Sequence, residues 1–232
     1  MRLPFLAGIL CGSLLLAGRG TANAQAKPDR LKSVLAQMDA GSAKFHSAEA
    51  SIQKQQFEKV VNDTTTESGT IYFLRSGGSI QVGARFDPPN AQTLEYKNGL
   101  LRLYSAGTNH IDQYSTAGAN QARFETFFAL SFGASGSDLE KQWAIADLGT
   151  ERMSDGSRMV DVEKLDLLPK DPSVRGNVTH ITIWVDLARD LSLKQVGFTP
   201  SGDTQTTIYT NIRLNQPIDQ KPFAIKCKGK CS

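Results

Sequence analysis

Few residues in this chain carry side chains able to make or break bonds, and their spacing argues against most such chemistry. The three histidines, His46, His110 and His180, are scattered, with no second His or Cys nearby to share a metal. Each reads as a surface or strand-face residue, and no metal is expected. Asp161 and Glu163 flank Val162, a spacing that would suit a pair of carboxylates in acid–base work. The same spacing arises on the solvated outer face of a strand, which is the reading adopted here. No Gly-x-Ser-x-Gly elbow, phosphate loop or dinucleotide fingerprint occurs. Gly133-Ala-Ser-Gly136 reads as a linker that ends a helix. No catalytic residue and no cofactor is therefore expected; an exported hydrolase using Asp161 or His180 is the least favoured alternative.

The cysteines point to an export route rather than a reaction. Cys227 and Cys231 lie in Cys-Lys-Gly-Lys-Cys at the chain end, where they form either a disulfide or two free thiols in a frayed tail. A structural zinc site would need further ligands that the sequence does not supply. At the other end, Arg2 precedes an apolar run from Leu3 to Ala17 and a small-residue site at Ala22-Asn-Ala24. This is the pattern of a secretory signal peptide over residues 1–24, cleaved before Gln25. Gly8, Gly12 and Gly18 break the run, which is also shorter than the ~20 apolar residues of a membrane span. Cys11 follows Leu10 rather than a small residue, so no lipid anchor is expected.

Composition bounds the rest. The 232 residues are 40% hydrophobic and 21% charged, which suits one globular domain with a sizeable core. Losing Arg2 and Arg19 with the leader leaves 24 of the 26 basic residues against 23 acidic ones, a net +1. So balanced a chain implies no nucleic-acid partner.

The elements follow from periodicity. Pro28 and Asp29 open an amphipathic helix with Leu31, Val34, Leu35, Met38 and Phe45 on one face. Strands are expected from about Ala48, then over 67–75, 80–86, 91–96, 100–104 and near 110–114, with Asn98-Gly99 as a hairpin turn. The run 121–132 has helical spacing, and Ser137 to Trp143 reads as a short helix capped by Ser137 with Glu140 three positions on. Alternation resumes at Met159–Leu165. It continues through Val178–Asp186, Leu191–Phe198 and Thr204–Asn215, ending in a hydrophobic hook at Pro222-Phe223. The expected fold class is α+β, a large curved antiparallel sheet with a few helices on one side. Residues 25–223 form its single domain and 224–232 a tail. The aromatic stripe Phe124, Phe127, Phe128, Leu130 and Phe132 has two readings that stay open. It plugs the sheet as ordinary core, or it borders a concave apolar surface suited to lipid.

The leading amphipathic helix, Gly69-Thr-Ile-Tyr-Phe-Leu-Arg75, the Asn98-Gly99 turn, Ile183-Trp-Val-Asp186, Leu193-Lys-Gln195, Ile208-Tyr-Thr-Asn-Ile-Arg-Leu-Asn215 and Pro222-Phe223 together resemble the LolA family of periplasmic outer-membrane lipoprotein carriers, from about Asp29 to Phe223. The resemblance implies an incompletely closed β-barrel with helices as a lid over a hydrophobic cavity. It also implies a monomeric periplasmic chaperone whose cargo is a lipoprotein or other acylated lipid, with an inner-membrane lipoprotein transporter as donor and an outer-membrane acceptor as recipient. By the same resemblance, Arg75 is the lid latch. Ser76-Gly77-Gly78 follows it, where the family usually has proline, and Leu100 and Leu101 precede Tyr104 after the turn. Strand parity adds Ile71 and Phe73 to the face of Arg75 as lipid-binding residues, with Leu31, Leu35, Phe124, Phe127 and Phe128 as lid residues. The alternative on the same fold is an envelope sensor or scaffold that binds another protein along a sheet edge.

Overall fold

The computed structural model describes residues 26–76, 79–116 and 128–229. Eleven antiparallel strands make one sheet: β1 Ser47–Glu58, β2 Asp63–Ser76, β3 Ser79–Phe86, β4 Gln92–Lys97, β5 Leu100–Ser105, β6 His110–Ser115, β7 Trp143–Ser154, β8 Met159–Pro169, β9 His180–Asp186, β10 Leu191–Phe198 and β11 Thr204–Leu214. Their order is β6-β5-β4-β3-β2-β1-β11-β10-β9-β8-β7. Two meanders thus meet where β1 pairs with β11, and β6 and β7 remain as edges. The expected open barrel is what forms.

Register explains the shape of the inner face. Ala50, Ile71, Ala84, Leu94 and Leu103 form one cross-strand row from β1 to β5, and Ala48, Phe73, Val82, Tyr96 and Leu101 form the next. Neighbours in such a row touch. Alanines among bulky residues therefore leave hollows that a uniform Leu/Val row would fill. The β4–β5 turn is the two-residue type that matches strand twist: Lys97 pairs with Leu100, and Asn98 and Gly99 have φ of 53° and 71°.

The helices that pack on the sheet include α1 Ala26–Ser42, α2 Gly136–Gln142 and α3 Pro172–Arg175. Val34, Leu35 and Met38 of α1 join Leu139 of α2 and Leu165, Leu167, Ile181, Ile183 and Val185 in a dry core over β8 and β9. Contact is close because α2 starts with a glycine: a Cβ on Gly136 would lie 2.2 Å from the Leu35 carbonyl oxygen. Arg30 anchors the start of α1 to Asp147 at 2.7 Å and to Glu163. On the outer face, the hook at Lys221–Phe223 sets Phe223 edge-on to Tyr72, with centroids 4.8 Å apart. The tail then crosses the sheet, where the Ile225 amide donates to Glu95 and the Lys228 amide to Asn109. Cys227 is disulfide-bonded; Cys231, its expected partner, lies outside the described residues, as does the leader.

Several local expectations need correction. The helix ends at Ser42, so Phe45 is buried from a loop rather than from the helical face. The cap of α2 is Ser135, whose hydroxyl accepts from the Asp138 amide, and Trp143 starts strand β7 instead of closing that helix. Glu163 is not on a solvated face: it turns inward to Arg30, while Asp161 stays exposed beside Arg152. The expected helix over 121–132 lies largely outside the described residues; Phe128 and Ala129 are helical and the chain turns at Leu130.

Replacing Gly99 with Val should lower stability by about 1–2 kcal/mol, because a β-branched residue is forced into the left-handed region. Thermal unfolding checks this, and an unchanged midpoint would contradict the turn geometry.

Candidate functional site: an apolar cavity and its arginine clasp

The half of the inner face that α1 does not cover encloses a cavity of about 520 Å³. Ile52, Ile71, Phe73, Ala84, Leu94, Leu101 and Leu103 form one wall. Ile181, Gln195 and Tyr209 form the other, and Phe128 and Ser131 roof it. Burial grades along its length. Phe73 and Tyr209 are buried deep inside, Lys54 and Thr207 one strand pair outward from Ile52 and Tyr209 are half-buried, and Gln92 and Gln205 at the rim are exposed.

The polar atoms inside bond to one another. The Tyr209 and Ser131 hydroxyls lie 2.9 Å apart, and Gln195 donates to the Ser131 hydroxyl at 3.2 Å. Burial pushes the Tyr209 phenol up to about 12, so it stays neutral. What remains facing the inner part of the space is mostly hydrocarbon, as a ligand pocket for an apolar group requires. Among the described residues, no group of three His, Cys, Asp or Glu side chains is placed to hold a metal ion.

Past Phe73, the inner end is tied by Arg75. Its guanidinium donates to the Ser42 carbonyl at 2.8 Å and the Gly133 carbonyl at 2.7 Å, and lies over the Phe45 ring at 5.2 Å. The Ser42 hydroxyl also donates to the Gly133 carbonyl at 2.8 Å. One side chain on β2 thus joins the end of α1 to the segment below the roof, and the planar fork suits two acceptors at once.

Asp190 lies beside this clasp. It is 3% exposed, and neither carboxylate oxygen has a hydrogen-bond partner among the described residues. Its φ is 52°, and Gly41 packs so tightly on it that a Cβ there would lie 2.2 Å from the Asp190 Cβ. Burial pushes the carboxyl up to about 7 against the pull of Arg75, with Asp39 adding to the rise.

Of the residues singled out from sequence, Ile71, Phe73 and Phe128 line the cavity. Leu35 does not: it belongs to the dry core over β8 and β9, with Leu31 packed at its margin, because α1 covers the other half of the sheet. Phe124 and Phe127 lie outside the described residues. Sequence reasoning missed Ala84, Leu94, Leu103 and Tyr209, all available from strand parity once the register was known. Asp190 carried no signal, since its burial comes from α1 packing across a turn.

No protein-family model matches the chain, and no curated protein sequence does. The likeness is to solved structures. MucB superimposes with a TM-score of 0.54 at 11% identity, covering 88% of this chain and 64% of that one. The MucA/MucB complex of Pseudomonas aeruginosa gives 0.51 at 11%, covering 85% and 61%. An uncharacterised conserved protein of Thermus thermophilus gives 0.52 at 10%, covering 86% and 96%. The chain thus spans less than two thirds of MucB. At these identities the likeness is one of fold alone: an unclosed antiparallel sheet with helices against its inner face.

A carboxyl that stays protonated in the folded chain up to about pH 7, but ionises near ~3.9 when unfolded, makes stability fall as pH rises between those values. Asp190→Asn should remove that slope, leaving the variant more stable than the parent at pH 8 and similar to it near pH 4. Urea melts at both pH values test this; parallel curves would contradict it.

Proposed function

We propose that this protein is a periplasmic carrier, exported by its cleaved leader over residues 1–24, that shelters the acyl chains of lipoproteins or other acylated lipids. In this reading an inner-membrane transporter loads it and an outer-membrane acceptor unloads it. The observation that carries the reading is the unfilled apolar cavity. A wall built from Ile71, Phe73 and Leu94 around small residues, with its polar atoms already paired, offers hydrocarbon nothing but contact.

Energetics define the problem that such a carrier faces. An acyl chain of ~16 carbons gains roughly 13 kcal/mol gross on leaving water, at ~0.8 kcal/mol per methylene. Delivery must recover most of this. A clasp that reforms on an emptied cavity offsets part of the loss, because the Arg75 hydrogen bonds and the packing of the roof return as the chain departs. Arg75 is then a latch whose strength sets the exchange rate.

A second reading has one observation in its favour: MucB, of the same fold, has been solved with MucA bound. Edge strand β6 is exposed along most of its length, and a sheet edge is where strand addition takes place. A stable protein complex with no lipid in the cavity would favour this scaffold reading.

The carrier reading is tested with a fluorescent fatty acid. Saturable binding at the cavity is expected, and its absence would overturn the reading. Arg75→Leu should still bind the probe but hold it about tenfold longer in transfer to acceptor vesicles, as losing ~1.4 kcal/mol of competing hydrogen bonds would dictate. Unchanged transfer would remove Arg75 from the exchange step.

A further inference from the structure

The size and closure of the cavity limit its cargo. A small group in a condensed phase occupies roughly 30 Å³, the liquid share of a water molecule and close to that of a methylene. The 520 Å³ cavity therefore holds about 17 such groups. A second chain would need about as much space again, and described side chains limit the space on two sides. Phe132 sits between Phe73 and Tyr209, with ring centroids 4.7 and 4.9 Å away. Beyond it the Arg75 clasp seals the end, and the flank toward β8 is the dry core beneath α1. Among the described residues, the end at Lys54, Gln92 and Gln205 is polar and open to water.

We infer that the cavity takes a single acyl chain of about 16 carbons, methyl end toward Phe73, with the head group left at the polar rim. Its ligand class is a one-chain amphiphile, such as a fatty acid or lysophospholipid, or a larger lipid that lowers one chain at a time. This rests on the carrier reading and narrows it, since a lipid with several chains cannot be sheltered whole in the described cavity.

Delipidated mature protein titrated with lysophosphatidylcholines of 12 to 20 carbons provides the test, with stoichiometry read by native mass spectrometry. Each added methylene should tighten binding about fourfold, as ~0.8 kcal/mol requires, up to ~16 carbons, and add little beyond. One molecule should bind per chain, and dipalmitoyl phosphatidylcholine should bind no more tightly than its one-chain counterpart. Ala84→Leu, which fills the wall without adding a polar group, should shorten the preferred chain by about three carbons, the number its side chain adds. Two one-chain molecules bound per protein, or a two-chain lipid bound far more tightly, would overturn the single-chain inference and leave the carrier reading standing. A preferred length unmoved in folded Ala84→Leu would place the chain elsewhere and also overturn it. No binding of any chain would sink the carrier reading itself.

Discussion

A curved sheet of eleven strands presents more apolar inner surface than one 17-residue helix can cover. That mismatch shapes the molecule. Where α1 lies, the inner face is covered, because Leu35, Met38 and their partners bury one another against β8 and β9. Over β1 to β5 the cover is the segment with Phe128 and Phe132, and the alanines at 48, 50 and 84 keep the wall recessed beneath it. The apolar inner part of such a space offers water few partners. Its lining gains contacts only when hydrocarbon enters.

The two halves are joined by polar bonds rather than by more apolar surface. Arg75 links β2, the end of α1 and Gly133 through backbone carbonyls, groups that would otherwise be costly to bury. Asp190, pressed against Gly41 without a hydrogen bond to its carboxylate, adds strain to the same junction.

Much of the fold was legible because strands announce themselves by alternation. Ile71-Tyr-Phe73 and Ile183-Trp-Val185 placed their faces correctly, and Asn98-Gly99 marked its turn by the left-handed angles only such residues adopt readily. Strand β7 was hidden because Trp143-Ala-Ile-Ala-Asp147 follows a helical cap signal without interruption. The site was half legible. Parity gave Ile71, Phe73 and Arg75 one face, but which half of the sheet the helix would cover is decided by long-range contacts such as Gly136 against Leu35. Local pattern does not encode such contacts, so Leu35 was assigned to the wrong compartment. The buried carboxyl at Asp190 is likewise a product of packing across distant segments.

The central claim is that the space beneath Phe128 holds an acyl chain in the working protein. Organic extraction of the protein purified from its native envelope, followed by mass spectrometry of the extract, tests it most directly. About one acyl species per protein chain is the expected result. Protein that yields none, while remaining folded and bound to another polypeptide, would contradict the claim.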